Sequence, residues 1–151
     1  MSDTEVHKKV TDIFTNYLIK NKHRKTPERY AILNEIYQTN GHFDVEDMYL
    51  RMKTNNYRVS RATLYNTIEI LLDCKLIRKH QFGKIQAQYE TSFRSRQHDH
   101  IICSKCDNVI EFCDPRIQNI KDSIFENMNF IIEYHSLNFY GICRNCQKNK
   151  I

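Results

Sequence analysis

The chain has 151 residues, 40% of them hydrophobic, with three glycines, two prolines and a formal net charge of +5. That is enough apolar material for one good core or two small ones and argues against disorder. No apolar run approaches the ~20 residues of a membrane-spanning helix, and the opening Met-Ser-Asp-Thr-Glu-Val-His-Lys-Lys has no signal-peptide core, so a cytoplasmic protein with reduced thiols is expected.

The charge is unevenly placed. Residues 1–84 hold 15 Lys and Arg against 10 Asp and Glu, while residues 85–151 hold 8 against 8. A basic half joined to a neutral half rich in metal ligands suggests that one part meets a polyanion, although a solvated helical surface can carry the same balance.

From Val6, the residues Val10, Ile13, Phe14, Tyr17 and Leu18 recur at helical spacing, giving a first helix that ends near Lys20. A basic connection, 21–25, leads to Thr26-Pro27-Glu28, a helix start with a capping hydroxyl, a residue lacking the orphaned N–H, and an acid for the dipole. This second helix runs through Tyr30, Leu33, Ile36 and Tyr37 and is expected to stop at Asn40-Gly41. Asp44 and Asp47 cap a third helix carrying Val45, Met48, Tyr49 and Met52, which Asn55-Asn56 breaks.

Ser60 begins a fourth helix whose apolar stripe is Leu64, Ile68, Leu71 and Leu72. Arg61, Thr63, Tyr65, Asn66 and Glu69 take its opposite face or edges, several of them at the N-terminus, where a recognition helix touches base edges. Two β-type stretches follow, Leu76 to His80 and Ile85 to Tyr89, joined across Phe82-Gly83-Lys84 as a hairpin. Helices followed by a basic hairpin make a winged helix-turn-helix. Polar residues at a helix start also serve simply as caps, and helix-turn-helix patterns are common in small helical domains.

Cys103/Cys106 and Cys143/Cys146 are two Cys-x-x-Cys pairs. Four thiolates from two short turns suit tetrahedral zinc and leave no position for water, so such a site is structural. A thiol redox switch is the alternative. The two further cysteines, Cys74 and Cys113, read as buried hydrophobes.

His98-Asp99-His100 places two imidazoles on one strand face and Asp99 on the other. With Glu90, Glu111 and His42 it makes a mixed N/O donor set suited to Fe(II), Mn(II) or Zn(II). His42 lies between the second and third helices, so its use as a ligand links the DNA-binding half to the metal half. The strings of zinc deaminases and zincins are missing, and three glycines make no phosphate loop, so no enzyme is expected.

With those residues in place, the chain resembles the ferric uptake regulator family of metal-dependent bacterial repressors. The likeness spans about residues 20–147, through Thr26-Pro27-Glu28-Arg29, Arg61-Ala-Thr-Leu-Tyr65, His98-Asp-His-Ile-Ile-Cys-Ser-Lys-Cys106, Val109-Ile-Glu-Phe112, His135-Ser-Leu-Asn-Phe-Tyr-Gly141 and Cys143-x-x-Cys146. It implies an α+β protein with a winged helix-turn-helix domain over 1–90, a hinge over 91–95, and an α/β dimerisation and metal-binding domain over 96–151. It further implies a homodimer that binds a palindromic double-stranded DNA operator when metal is present and represses metal-uptake genes. Cys103, Cys106, Cys143 and Cys146 match the structural zinc ligands, and His42, Glu90, His98 and His100, with Glu111, match the regulatory site. Contacts to DNA are expected from Arg24, Lys25, Arg29, Arg61, Thr63, Tyr65 and Asn66.

Two departures stand out. Asp99 and His135 match part of a third metal site, but Gln97 and Gln118 replace its usual His and Glu, and neutral amides are poor ligands. Asn66 replaces the Arg that usually follows Tyr65. Peroxide-sensing relatives place aspartates where this chain has Glu90 and Glu111, and zinc-uptake relatives supply a cysteine that is missing between Glu90 and His98. Fe(II) is therefore the expected regulatory ion, with Mn(II) or Zn(II), and a zinc- or peroxide-responsive regulator, as alternatives.

Overall fold

Ser2 and Glu5 exchange a capping box, the Ser2 side chain accepting from the Glu5 N–H and the Glu5 carboxylate from the Ser2 N–H. Helix α1 therefore starts at Asp3, a turn before the apolar period begins, and spans Asp3–Lys20. The computed structural model describes residues 2–83, 85–93 and 97–149, and the chain divides into two compact units, 1–96 and 97–151. Among the described residues, no helix is long and apolar enough to cross a membrane.

In the first unit, α1 buries Val6, Val10, Phe14 and Leu18, four residues spaced by four. Thr26 caps α2 (Pro27–Gln38), and an Asp44–Asp47 capping box starts α3 (Val45–Thr54). The second helix ends two residues earlier than its Asn-Gly signal suggests. Thr39 turns extended, its hydroxyl donating to the Glu35 carbonyl, and Gly41 takes the left-handed conformation (φ 77°) in the loop beyond. Ser60 caps α4 (Arg61–Asp73), which buries Leu64, Thr67, Ile68, Ile70 and Leu71 against α2, α3 and the hairpin. The Tyr37 hydroxyl donates to the Leu76 carbonyl at 2.6 Å, tying α2 to the hairpin's first strand, and burial pushes its pKa well above the ordinary tyrosine range.

Strands β1 (Ile77–His80) and β2 (Gln88–Thr91) pair antiparallel, His80 opposite Gln88 and Arg78 opposite Glu90. The expected second strand, from Ile85, starts three residues too early. The Ile85 N–H closes a turn onto Phe82 and the Gln81 side chain donates to the Ile85 carbonyl, so local bonds hold that segment outside the ladder. Phe43 adds a bridge on the other side of β2, exchanging both backbone bonds with Tyr89 at 2.9 and 2.8 Å. Lys84, at the expected hairpin tip, and residues 94 and 95 of the expected hinge lie outside the described residues.

The second unit is a three-stranded sheet in the order β4-β3-β5. Strand β3 (Asp99–Cys103) lies between antiparallel β4 (Val109–Phe112) and parallel β5 (Asn138–Gly141). Strand β4 returns the chain to the end at which β3 began, and α5 (Arg116–Met128), ending at left-handed Asn129, lies in the connection that passes β3 to reach β5. Asp114 accepts the Arg116 N–H at the helix start, and the Arg116 guanidinium holds its carboxyl down to about 2. A short α6 (Arg144–Lys148) closes the chain. Among the described residues of this unit only Asp99, His100, Ile102 and Cys103 are buried, which is a thin core for a sheet and a helix.

Candidate metal centres and nucleic-acid interface

The four cysteines come together. Cys103 ends β3, Cys106 sits on the turn toward β4, Cys143 stands at the N-cap position of α6 and Cys146 lies one turn along it. One ligand atom from each lies within 4.8 Å of all the others. Four sulfurs about 2.3 Å from a tetrahedral ion are about 3.8 Å apart, and Cys106 Sγ and Cys143 Sγ are separated by 3.7 Å. The Cys143, Cys106 and Lys105 backbone N–H groups pull the Cys103 thiol down to about 6, whereas the Cys143 and Cys106 sulfurs push Cys146 up to about 12. Ready ionisation of one thiol, and crowding that opposes ionising Cys146 without a cation, are properties of a zinc site. Cys113, read as buried, is exposed on the short segment after β4, its Sγ donating to the Gln97 carbonyl. Cys74 is half-buried, with its thiol pushed up to about 11 by that burial.

The remaining expected ligands form a group in each unit. In the second unit, His98 stands just before β3 and His100 is its second residue, 2% exposed, with ring centroids 4.8 Å apart. Glu111 pairs with His100 across the β3–β4 ladder, and its Oε1 is 3.5 Å from His98 Nε2. In the first unit, His42 Nε2 lies 3.3 Å from Glu90 Oε2, and Glu90 is 2% exposed. The sequence reading missed the third member of that group: His80 Nε2 donates to Glu90 Oε1 at 2.7 Å. Only the hairpin register could have revealed it, since that register puts His80 and Glu90 on one face two residues apart across the strands.

Asp99 points to the other face of β3, as alternation requires, and Asp99 Oδ1 accepts from His135 Nε2 at 2.6 Å. The two glutamines are engaged elsewhere, Gln97 donating to the His135 carbonyl and Gln118 to Asp122. Asp99 is 3% exposed, so removing its imidazole partner strands a buried carboxylate. His135→Ala is expected to destabilise the second unit by about 1–3 kcal/mol, read as a lower melting temperature of the zinc-loaded protein. An unchanged melting temperature would show that the pair holds nothing together.

On α4, the expected DNA-contacting residues Arg61, Tyr65 and Asn66 are exposed, and Thr63 is half-buried beside its Ser60 cap. Arg61 stacks 4.0 Å above Tyr49 and donates twice to the Glu46 carboxylate, at 2.8 and 3.3 Å. An exposed pair of this kind is readily exchanged for phosphate. Arg24 and Lys25 are exposed before α2, and Arg29 is half-buried. A cleft of about 370 Å³ between the starts of α2 and α4 gathers Arg24, Arg29, Ser60, Thr63 and Asn66, and adds Arg58, which the sequence reading did not single out. Three guanidiniums, with the Glu28 carboxylate, thus gather beside the start of α4.

Residues 20–140 match the model of the Ferric uptake regulator family. The chain belongs to the ferric uptake regulator family. It is 27% identical over 124 residues to the peroxide-responsive repressor PerR of Staphylococcus aureus strain USA300, covering 82% of each chain. It is similar to the Pseudomonas aeruginosa ferric uptake regulator with manganese, at TM-score 0.74 and 26% identity over 86% of this chain and 97% of that one. It shares the fold of the Helicobacter pylori ferric uptake regulator, described as having three functional metal-binding sites, at TM-score 0.77 and 21% identity over 96% of each chain.

Proposed function

We propose that this member of the family is a cytoplasmic, homodimeric, Fe(II)-responsive repressor of metal-uptake genes that binds a palindromic DNA operator. The observation that carries the reading is the pair of N/O donor groups, one in each unit. His42 and Glu90 meet in the winged-helix unit, and His98, His100 and Glu111 meet in the sheet unit. An ion held by both groups at once favours one arrangement of the units over the others, and differential affinity of that kind is what shifts a population. Bound there, the ion supplies positive charge and a preferred coordination geometry. The residues of the chain do the rest: His42 and Glu90 carry its effect to the recognition helix through the shared core, and Arg24, Lys25, Arg29, Arg61, Thr63, Tyr65 and Asn66 meet the duplex.

Zinc on Cys103, Cys106, Cys143 and Cys146 is assigned a scaffolding role, because four sulfurs leave no open position. Dimerisation through the second unit is supported by its exposed apolar residues, Ile120, Phe125, Met128, Phe130, Ile131 and Phe139 each being at least half exposed. Large apolar side chains left exposed together on a single chain mark association surfaces. Glutamates at 90 and 111, where peroxide-sensing relatives place aspartates, favour iron over the peroxide response of the similar S. aureus protein.

Gel shifts with duplexes selected from a random pool test the proposal. Fe(II) or Mn(II) is expected to tighten operator binding at least ~100-fold over chelator-treated, zinc-retaining protein, as a differential affinity of about 2.7 kcal/mol implies. Identical shifts with chelator and with metal would overturn it.

A further inference from the structure

The winged-helix unit brings three nitrogen and oxygen donors to one point without help from the rest of the chain. The Phe43–Tyr89 bridge sets the register of the segment beside β2, which places His42 opposite Glu90. On the other side of β2, the hairpin register places His80 diagonally across from Glu90. Glu90 thus has an imidazole on each oxygen, His42 Nε2 at 3.3 Å from Oε2 and His80 Nε2 at 2.7 Å from Oε1, and the three ligand atoms lie within 4.8 Å of one another.

The rings are held in place. His80 stacks on Phe82 with centroids 5.6 Å apart and planes 3° from parallel, while His42 meets Phe82 edge-on at 5.8 Å and His80 at 5.5 Å. Phe82 is 1% exposed, so it forms an apolar wall behind both imidazoles. Donors about 2.0–2.2 Å from a common ion lie roughly 3 Å from one another, so the separations within this group match a chelate with little rearrangement. A carboxylate buried to this degree is costly unless hydrogen-bonded or beside a cation, and imidazole with carboxylate is the donor set of borderline divalent ions.

We propose that His80 is a metal ligand, and that His42, His80 and Glu90 form a chelate for divalent first-row transition ions carried wholly by the winged-helix unit. The inference deepens the regulatory-site reading and rests on its choice of His42 and Glu90 as ligands. It adds that an ion is retained when His98, His100 and Glu111 are removed. The ion then loads on the DNA-binding unit, and the second group of donors converts occupancy into a change of arrangement.

Co(II) titration of the zinc-loaded full chain, followed by visible absorption and equilibrium dialysis, tests this. A variant carrying His98→Ala, His100→Ala and Glu111→Ala is expected to retain one Co(II) beyond its zinc, and adding His80→Ala is expected to abolish it. In the otherwise intact chain, His80→Ala is expected to weaken Co(II) binding by ~100-fold or more, the upper end of what losing an outer hydrogen-bond partner costs, and to change the absorption bands. His80→Asn, which keeps a donor to Glu90 but not a good ligand, is expected to behave like His80→Ala. Wild-type affinity and bands in His80→Asn would overturn the ligand assignment, and failure of the triple variant to bind Co(II) would overturn the self-contained chelate. DNA binding by the same samples separates this inference from the proposed function: loss of Co(II) through His80 with no effect of Co(II) on operator affinity in the parent sinks the repressor reading alone.

Discussion

Replacing Cys143 with serine is expected to strip the chain of zinc and unfold the sheet unit, while the winged-helix unit keeps its own melting transition. Residues 97–149 have a thin core of their own, because Asp99, His100, Ile102 and Cys103 are the only buried residues among those described and α5 buries none. Structural zinc contributes on the order of 10 kcal/mol to small metal-stabilised domains, far more than so few buried side chains. The four sulfurs also clamp the topology. Cys103 pairs with Gly141 across the parallel β3–β5 ladder, and the Cys143 N–H donates to Cys103 Sγ at 3.4 Å. Loss of one ligand therefore frees α6 and the end of β5 together. Elemental analysis with a two-transition thermal melt checks this, and a Cys143→Ser protein that keeps both transitions would show that the apolar faces suffice, for instance by dimerisation. By contrast the first unit has a continuous core from Val6 to Tyr89 and is expected to melt unchanged.

The joint substitution of His98 and His100 by alanine is expected to abolish metal-stimulated operator binding, a loss of ~100-fold or more by the coupling argument, while zinc stays bound. An ion that touches only the winged-helix unit has the same affinity for every arrangement of the two units, and equal affinity shifts nothing however tight the binding. The variant should therefore still take up Co(II) through His42, His80 and Glu90, yet bind DNA as the chelator-treated protein does. His100 is 2% exposed, so its truncation also leaves a small cavity. Retained zinc and an unchanged first transition separate a failure of sensing from a failure of folding. Persistence of the metal response in this variant would move the regulatory site away from these residues.

Three of the four helix starts in the first unit are legible because each depends on local chemistry. Thr26-Pro27, the Asp44–Asp47 box and Ser60 cap their helices through bonds spanning three residues. The first helix begins at Asp3, before the apolar period that starts at Val6, and its Ser2–Glu5 box is as local as the others but is not visible in the apolar spacing alone. The second wing strand starts later than its residue types suggest. Ile85 is strand-like, but its backbone is held by the turn at Phe82. Arg58 carries no signal of its own, since it precedes its helix and joins Arg24 and Arg29 only through packing.

Residue order was enough for the family, for the succession of elements in the first unit and for the two cysteine pairs, because a Cys-x-x-Cys loop is local and its two sulfurs need no distant residue to face one ion. Alternation along β3 was likewise enough to put His98 and His100 on one side and Asp99 on the other. What those side chains meet depends on packing. His135 reaches Asp99 across 36 residues of sequence, His80 reaches Glu90 through the β1–β2 hairpin register, and His42 reaches it through the bridge from Phe43. Register is a property of paired strands and not of either strand alone, and a shift of one residue turns every side chain to the other face. The third donor beside His42 and Glu90 therefore became visible only once the strands were paired.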